Sequence, residues 1–364
     1  MNTFNADKVF SHFQFEGELI SITPTGNGHI NDTFLVTTNA PKNYILQRIN
    51  HHIFKSPETL MENIQAVCAH LQQKVLAEGG DIEREVLTLI PTHAHTSYFL
   101  DKEGYYWRAY VFITDAISYD IVPNNTVFYN AAYKFGEFQR FLLDFDASKL
   151  YETIPYFHHT KNRFNNFLNA LENDCVGRAK TIPAEIDFVL SHEQDASSLI
   201  DLYESGKLPL RVTHNDTKIN NIMIDAYTQK GICVIDLDTV MPGLVAYDFG
   251  DCIRTGATSG AEDEVDLSKV HFMLDRFEAF TEGFLSSVGA HLTNDEIASL
   301  LIGAKIITFE CGIRFLTDYL EGDTYFKIHR PNHNLDRART QFKLVQDMEH
   351  HWQELEAIIQ KFMK

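Results

Sequence analysis

Residues 211–240 read RVTHNDTKINNIMIDAYTQKGICVIDLDTV, and this stretch decides the fold. Its residue types predict a short strand, a polar loop, a second short strand, a turn and a third strand. The loop contains His214, Asp216 and Asn221 in the pattern H-x-D-x-x-x-x-N, and Asp236 follows the third strand. The strands IMI and CVI can pair as a ribbon, so we predict that Asn221 and Asp236 lie close together.

The composition limits the kinds of partner that the protein can have. The 31 basic and 50 acidic residues give a net charge of −19, which argues against a nucleic-acid or anionic-membrane partner. The five cysteines are odd in number and are not spaced like metal ligands, which indicates reduced thiols. We see no signal peptide and no apolar stretch that could span a bilayer, so a cytoplasmic protein is expected.

A chain of 364 residues is expected to form two lobes or domains. Strand patterns dominate residues 1–113, in the order three strands, one helix and two strands. Helical spacing dominates residues 114–364, apart from the stretch quoted above, and YVFITDA (110–116) is the predicted hinge. The helices of the second part are predicted over 128–142, 162–173, 185–204, 268–288, 295–319 and 334–363.

The loop, ribbon and following aspartate resemble the catalytic centre of the protein-kinase-like phosphotransferases, in the variant of the aminoglycoside phosphotransferase group. The resemblance implies an α+β fold with a small antiparallel nucleotide-binding lobe and a larger helical lobe for catalysis and substrate binding. It implies that Asp216 is the base, and that Asn221 and Asp236, assisted by Asp238, hold Mg²⁺ against the ATP phosphates. In that group the histidine, here His214, is structural.

These roles explain the residue types. A hydroxyl group is a poor nucleophile until a carboxylate accepts its proton, a contribution of about 10²–10⁴ in rate. Hard oxygen ligands suit Mg²⁺, which neutralises charge on the transferred phosphoryl group. Each residue alone is equally compatible with a turn or a loop cap. The interpretation therefore depends on the joint spacing of Asp216, Asn221 and Asp236.

Asp248-Phe249-Gly250 matches the metal-binding DFG triplet of protein kinases letter for letter. Asp236 nevertheless fits the metal position better, because it lies one short ribbon beyond the base and Asp248 lies further along the chain. In the resembling group, a Tyr-Asp segment after the metal aspartate braces the catalytic loop. We therefore interpret Asp248 as a structural brace.

The nucleotide contacts are expected in the small lobe. Gly26 and Gly28 lie in TGNGHIN (25–31), a turn whose backbone N–H groups can cover the ATP phosphates. The superfamily places a lysine on the third strand, paired with a helix glutamate, but YILQRIN offers Gln47 or Arg48. Alternation directs only one of these two toward the nucleotide. Phe112, in the predicted hinge, is a further candidate contact.

Eight segments together look like the N-acetylhexosamine 1-kinases, and the resemblance covers nearly the whole chain. It implies ATP and Mg²⁺, GlcNAc or GalNAc as acceptor, and a sugar α-1-phosphate as product. That family also has glutamine in place of the lysine. The segments are GHINDTFLVTT, YILQRIN, LRVTHNDTKINNIMID, VIDLDTVMPG, DFGDCIRTGA, DLSKVHF, ECGIRFLTDYLEGDTYF and HNLDRARTQFKLVQDME. The candidate sugar-binding residues are His29, Asp216, Arg314, Tyr319 and Tyr325.

Two alternatives stay open at this point. One is a kinase for another small hydroxyl compound, such as choline or homoserine, which an acidic second lobe would suit. The other is a nucleotide-binding pseudokinase, which the missing lysine favours and the intact set of Asp216, Asn221 and Asp236 disfavours. Arg314 and Asp318 are four residues apart on a predicted helix and could pair with each other instead of binding substrate.

Overall fold

The computed structural model describes residues 6–26 and 30–363. The protein has a kinase-like fold, with a small lobe built on an antiparallel sheet and a larger, mainly helical lobe. The small-lobe sheet has the order β1-β2-β3-β5-β4. Its strands are β1 (Leu19–Pro24), β2 (Asp32–Thr38), β3 (Tyr44–Ile49), β4 (Phe99–Leu100) and β5 (Tyr106–Val111). The small-lobe helices are α1 (Ala6–Phe10), α2 (Pro57–Ala77) and α3 (Ile82–Glu85).

Helix α2 joins the small lobe to the large one. Its apolar side chains recur at helical spacing and are fully buried, as shown by Leu60, Ile64 and Val67. They belong to the same hydrophobic cluster as Phe128 of the large lobe. The strands and this helix occur in the predicted order of three strands, one helix and two strands. The buried face of α2 also forms part of the packing surface between the lobes.

Two further small sheets are built from strands that follow β5 in the chain. Strands β6 (Ala116–Ile117), β8 (Ile222–Asp225) and β9 (Gly231–Val234) form one sheet, and β7 (Arg211–Thr213) pairs with β10 (Met241–Gly243). In the ribbon of β8 and β9, Ile222 lies opposite Val234. This pairing confirms the predicted ribbon, and it brings the residue before β8 next to the residues that follow β9.

Nine helices are described in the large lobe. They are α4 (Asn125–Leu142), α5 (Thr160–Asn173), α6 (Pro183–Ser191), α7 (Ser198–Glu204), α8 (Val245–Gly256), α9 (Leu274–Val288), α10 (Asn294–Leu320), α11 (His333–His350) and α12 (Trp352–Phe362). Helices α4 and α9 pack together over a core rich in phenylalanine, and α8 crosses α10. Thr293 and Glu296 form a reciprocal capping box at the start of α10.

Three of the predicted helices have different limits. The segment 185–204 is two helices, α6 and α7, because the chain turns at His192, whose ring contacts the Phe188 carbonyl 2.7 Å away. The segment 334–363 is interrupted at His351 between α11 and α12. Helix α9 begins at Leu274, after a bridge that pairs Phe272 with Thr258.

All five cysteines have free thiols. Among the helices that the structure describes, none combines the length and apolar character needed to cross a membrane.

Candidate active site

The loop between β7 and β8 carries Asp216, and two neighbours hold its carboxylate. Lys218 Nζ lies 2.8 Å from Asp216 Oδ1. The amide nitrogen of Asn221 donates to Asp216 Oδ2 at 3.1 Å and to the Asp216 carbonyl at 2.7 Å. Burial opposes ionisation of Asp216, but Lys218, through its charge and hydrogen bond, holds the pKa of Asp216 below its usual range. The carboxylate is therefore ionised and ready to accept a hydrogen bond from a hydroxyl group.

Asn221 and Asp236 lie next to each other across the ribbon, since the Ile235 N–H donates to the Asn221 carbonyl at 2.9 Å. Because the Asn221 amide nitrogen is directed at Asp216, its side-chain oxygen is the end that remains for a cation. Asp236 is exposed in the cleft. Its carboxylate accepts no hydrogen bond among the described residues.

Asp236 has a strained backbone and an uncompensated charge. Its φ of +60° lies in the left-handed region, which a residue other than glycine rarely adopts. The pKa of Asp236 is raised to about 7. The largest cause is that the cleft walls limit the hydration of its carboxylate, and the next are the negative charges of Asp238 and Asp216. Asp216 and Asp238 each have a cationic partner, whereas Asp236 has no ion pair among the described residues, so its carboxylate is the one that a hard cation can bind.

His214 connects the catalytic loop to the segment that carries Asp236. Its Nε2 donates to the Ile235 carbonyl at 2.8 Å, and its Nδ1 accepts from the Asp216 N–H at 3.2 Å. The Thr239 hydroxyl donates back to the His214 carbonyl at 2.7 Å. Because both ring nitrogens are engaged in hydrogen bonds, His214 fixes the loop geometry and has no free nitrogen for proton transfer.

The Asp-Phe-Gly triplet lies inside α8. The Asp248 carboxylate is buried and accepts from the backbone N–H groups of His214 at 2.9 Å and Asn215 at 2.7 Å, and also from Gln139. Phe249 packs its ring in the hydrophobic core, and Gly250 faces α10. These contacts are the ones that a brace of the catalytic loop requires, and we retain that role for Asp248 as a proposal.

The structure separates the two candidates on β3. Gln47 lies opposite Arg108 of β5 and accepts from Arg108 Nε at 2.9 Å. Arg48 pairs with Asp32 through two nitrogens and stacks on the Tyr105 ring at 4.6 Å. Gln47 therefore shares the surroundings of Arg108, while Arg48 is engaged elsewhere in the sheet.

Asp238, predicted to assist the metal, is almost completely buried. One carboxylate oxygen pairs with Arg108, and the other accepts from the Asn31 amide at 2.6 Å. The geometry thus favours Asp236 over Asp238 as the ligand that faces the cleft.

The remaining nucleotide candidates are only partly described. Gly26 has a φ of +77° with open space at the position of a β-carbon, as a tight turn requires. Gly28, and the sugar candidate His29, lie outside the described residues. Phe112 directly follows β5, and its N–H donates to the Asn43 carbonyl at 3.0 Å.

Of the remaining candidate sugar-binding residues, Arg314 and Tyr325 lie near an exposed loop, whereas Tyr319 is buried. Arg314 lies over the Phe326 ring at 5.4 Å, and the neighbouring Tyr325 is 72% exposed. Asp318 does not pair with Arg314. Its oxygens accept from backbone N–H groups of the loop that carries Tyr325, including the Tyr325 N–H at 2.7 Å. Tyr319 is only 5% exposed, and its ring lies under a guanidinium, in core rather than cleft surroundings.

His158 supports the catalytic loop from behind, a role that the sequence does not reveal. Its Nδ1 donates to Glu310 Oε1 and its Nε2 donates to the Asn215 carbonyl, both at 2.9 Å. Burial alone would lower the pKa of His158, but the hydrogen bond and charge of Glu310 raise it above the ordinary value. Since both partners are acceptors, they favour the protonated ring, which donates from both nitrogens.

Lys218 and Arg108 are two further residues of the site that were not predicted from the sequence. The sequence gives only a weak indication of a role for Lys218, which is a lone cation two residues after Asp216. It gives none for Arg108, because an arginine in the strand YWRAYV ordinarily points to solvent, and here its side chain is 1% exposed.

Comparison with known proteins shows the family and the fold. The model of APH, the phosphotransferase enzyme family, matches residues 21–279. An aminoglycoside phosphotransferase from Alicyclobacillus acidocaldarius subsp. acidocaldarius DSM 446 has a TM-score of 0.63 at 12% identity, covering 100% of this chain and 97% of that chain. The microcompartment-associated aminopropanol kinase has a TM-score of 0.59 at 14% identity, covering 96% and 97%. Amicoumacin kinase hAmiN, solved with AMP-PNP, Ca²⁺ and Ami, has a TM-score of 0.60 at 12% identity, covering 93% and 92%.

At these identities the solved structures show only a shared fold. Membership of the family is shown by the match to the family model. It extends from β1 into α9 and includes the catalytic loop, the ribbon and α8. The chain therefore belongs to the APH phosphotransferase enzyme family.

Proposed function

We propose that this enzyme phosphorylates the anomeric hydroxyl group of N-acetylhexosamines, with ATP as donor and Mg²⁺ as cofactor, giving the sugar α-1-phosphate and ADP. The observation that carries the proposal is the convergence of an ionised Asp216, Asn221 and Asp236 in one cleft. The acceptor class is inferred from the segments that resemble the N-acetylhexosamine 1-kinases.

Asp216 is the proposed base. Its carboxylate accepts a hydrogen bond from the anomeric hydroxyl and takes the proton as the new bond between that oxygen and the γ-phosphorus forms. The bond from the γ-phosphorus to the bridging oxygen breaks at the same time, and ADP leaves. An anomeric hydroxyl is more acidic than the other hydroxyls of a sugar, so a carboxylate held ionised by Lys218 is a sufficient base.

Asn221 and Asp236 are the proposed ligands of Mg²⁺. The fit rests on the free side-chain oxygen of Asn221 and on the Asp236 carboxylate, which accepts no hydrogen bond from the described residues. Both are hard oxygen donors. When bound, the ion neutralises negative charge on the ATP phosphates.

The charges next to Asp216 favour a neutral acceptor. Arg254 is paired with Asp251 at 2.9 Å and with Glu262 at 3.0 Å, and Lys218 is paired with Asp216 itself. A cationic substrate would have to compete with these built-in cations, whereas the hydroxyl groups of a sugar can use the same groups as hydrogen-bond partners. Arg314 and the exposed Tyr325 are candidate contacts at the far side of the acceptor.

The test is a panel of acceptors, each incubated with ATP and Mg²⁺ while ADP release is followed. The panel contains GlcNAc, GalNAc, glucose, galactose, choline, homoserine and aminopropanol. We expect release above the rate without acceptor for the N-acetylhexosamines, and loss of that release in Asp216→Asn. Turnover confined to an amino alcohol would refute the acceptor class, and nucleotide binding without any turnover would refute the enzymatic proposal.

A further inference from the structure

We propose that Arg108 is a positioning residue that ties the metal-binding segment to the small lobe through its ion pair with Asp238. It would thereby replace the lysine that strand β3 lacks. The inference rests on the proposed binding of ATP and Mg²⁺ by Asn221 and Asp236, and it does not depend on the identity of the acceptor.

The side chain of Gln47 is occupied in orienting Arg108. Its amide nitrogen donates to the Thr33 hydroxyl at 3.0 Å, and its amide oxygen accepts from Arg108 Nε at 2.9 Å. In the antiparallel register Gln47 and Arg108 are direct partners. Gln47, which stands at the position of the missing lysine, therefore orients the Arg108 side chain. The positive charge that the lysine would supply is supplied by Arg108 of the neighbouring strand β5.

Arg108 has a counter-charge on the other lobe. The guanidinium is 1% exposed, and its closest carboxylate is that of Asp238, which is also buried. A buried guanidinium needs such a partner, because a charge removed from water without compensation is strongly unfavourable. This ion pair connects β5 of the small lobe to the segment that follows Asp236.

Asp238 is held by a second residue of the small lobe. The Asn31 amide donates to its other oxygen at 2.6 Å, and the oxygen of Asn31 accepts from the Asn50 N–H at 2.9 Å. The two carboxylate oxygens of Asp238 are thus engaged by two small-lobe residues, Arg108 of β5 and Asn31, which precedes β2. Asp238 is the attachment point of this segment, and Asp236, two residues earlier, keeps its carboxylate free.

A third contact fixes the same segment. Asn63, buried on α2, donates to the Val240 carbonyl at 3.1 Å. Residues 236–240 are therefore held from the small lobe at Asp238 and at Val240, so the position of Asp236 depends on these attachments. Loss of the Arg108 charge would release Asp238 and displace Asp236 without removing any metal ligand.

The experiment measures binding of AMP-PNP by calorimetry with and without Mg²⁺, and in the absence of any acceptor. The variants are Arg108→Met, Arg108→Lys, Asp238→Asn and the double variant Arg108→Met/Asp238→Asn. We expect each single neutral variant to weaken Mg²⁺-dependent binding by about tenfold, with the double variant no weaker than the worse single one. Arg108→Lys should keep most of the binding, and binding without Mg²⁺ should change little in all variants.

Two outcomes would overturn the proposal. Independent, multiplicative losses for Arg108→Met and Asp238→Asn would show that the two residues do not act as one pair. Weaker binding without Mg²⁺ in Arg108→Met alone would show that Arg108 contacts the phosphates directly. Because the readout is nucleotide binding without acceptor or turnover, failure of the catalytic proposal leaves this test unaffected.

A positional exchange provides a test that does not leave a buried charge unpaired. In Gln47→Lys/Arg108→Gln the cation returns to β3, directly opposite its present position. We expect this variant to fold and to recover Mg²⁺-dependent binding that Arg108→Gln alone lacks. A folded exchange variant that binds no better than Arg108→Gln would contradict the proposal, as would full binding in Arg108→Gln.

Discussion

Asp236 and Asp248 lie beside the same loop, but their side chains have different surroundings. Asp236 lies in the cleft among other carboxylates, whereas Asp248 is buried and accepts from two backbone N–H groups. We expect Asp236→Asn to abolish Mg²⁺-dependent turnover with little change in the free energy of unfolding. We expect Asp248→Asn to lower that free energy by about 1–3 kcal/mol, because an amide cannot replace both acceptor oxygens.

Urea unfolding followed by circular dichroism, together with initial rates at high Mg²⁺, separates the two effects. The assignments would be reversed if a fully folded Asp248→Asn variant lost its dependence on Mg²⁺ while Asp236→Asn retained it.

His158 predicts a pH dependence of stability. The groups facing it are Glu310 of α10, the Asn215 carbonyl, Asp251 of α8 and the Tyr247 ring at 5.3 Å. Because the pKa of His158 is raised in the folded protein, the stabilisation by the imidazolium is complete below its unfolded pKa. It is lost as the pH rises through the folded value.

We therefore compare the free energy of unfolding of the wild type and His158→Gln between pH 6 and pH 9. The difference should be about 3–5 kcal/mol at the acidic end, as for one partner removed from a buried pair, and should shrink as the pH rises. The exposed His93→Gln serves as the control and should show neither effect. A difference that is constant across the range would mean that His158 is neutral in the folded protein.

The residues with the strongest sequence signal are those whose partners are close in the chain. Asp216 and Asn221 could be predicted because one loop carries both, and Asp236 because a short ribbon returns it to that loop. Arg108 and His158 could not be predicted, since their partners Asp238 and Glu310 come from distant elements. A buried ion pair between distant elements leaves no periodic trace in the sequence.

Helices α8 and α10 cross at two glycines. A β-carbon on Gly250 would lie 2.4 Å from the Gly303 carbonyl oxygen, and one on Gly303 would lie 2.3 Å from the Ala246 carbonyl oxygen. We expect Gly250→Ala to cost at least about 1–3 kcal/mol, the range for an overpacked core. It should also lower kcat, because α8 carries Asp248 and so supports the catalytic loop.

Gly289→Ala is the matched control for this substitution, since its nearest neighbours are side-chain atoms of Leu285, the closest at 3.3 Å. Both variants are compared by urea unfolding and by initial rates. Equal stability of the two would show that the helices can separate at no cost, contrary to the close crossing.

Helices α4 and α5, which the sequence predicts correctly, have one apolar face and one polar face. Helix α8 was not predicted, although Asp248, Asp251 and Arg254 recur at helical spacing in it. Eleven of its twelve residues are buried, so these polar side chains have partners inside the protein and do not form a solvent-facing surface. The breaks between α6 and α7, and between α11 and α12, were missed for another reason. Apolar spacing continues across them, and side-chain contacts such as that of His192 with Phe188 decide where the chain turns.

The two lobes are expected to unfold together. One hydrophobic cluster contains Leu60 of α2 and Leu355 of α12, so the two lobes bury part of their apolar surface together. The chain has two tryptophans, Trp107 in β5 and Trp352 in α12, which report on different lobes. Unfolding of Trp352→Phe and Trp107→Phe, each followed by fluorescence and circular dichroism, should give coincident transitions within each variant. A fluorescence midpoint that differs from the circular dichroism midpoint would show that the lobes unfold independently.

The position of the phosphate in the product tests the central claim most directly. Purified protein is incubated with ATP, Mg²⁺ and GlcNAc or GalNAc, and the product is examined by phosphorus–proton coupling in NMR. The account predicts coupling of the phosphate to the anomeric proton in the α configuration, with the rate of formation reduced about 10²–10⁴-fold in Asp216→Asn. A phosphate on any other hydroxyl, or a rate unchanged in Asp216→Asn, would contradict it.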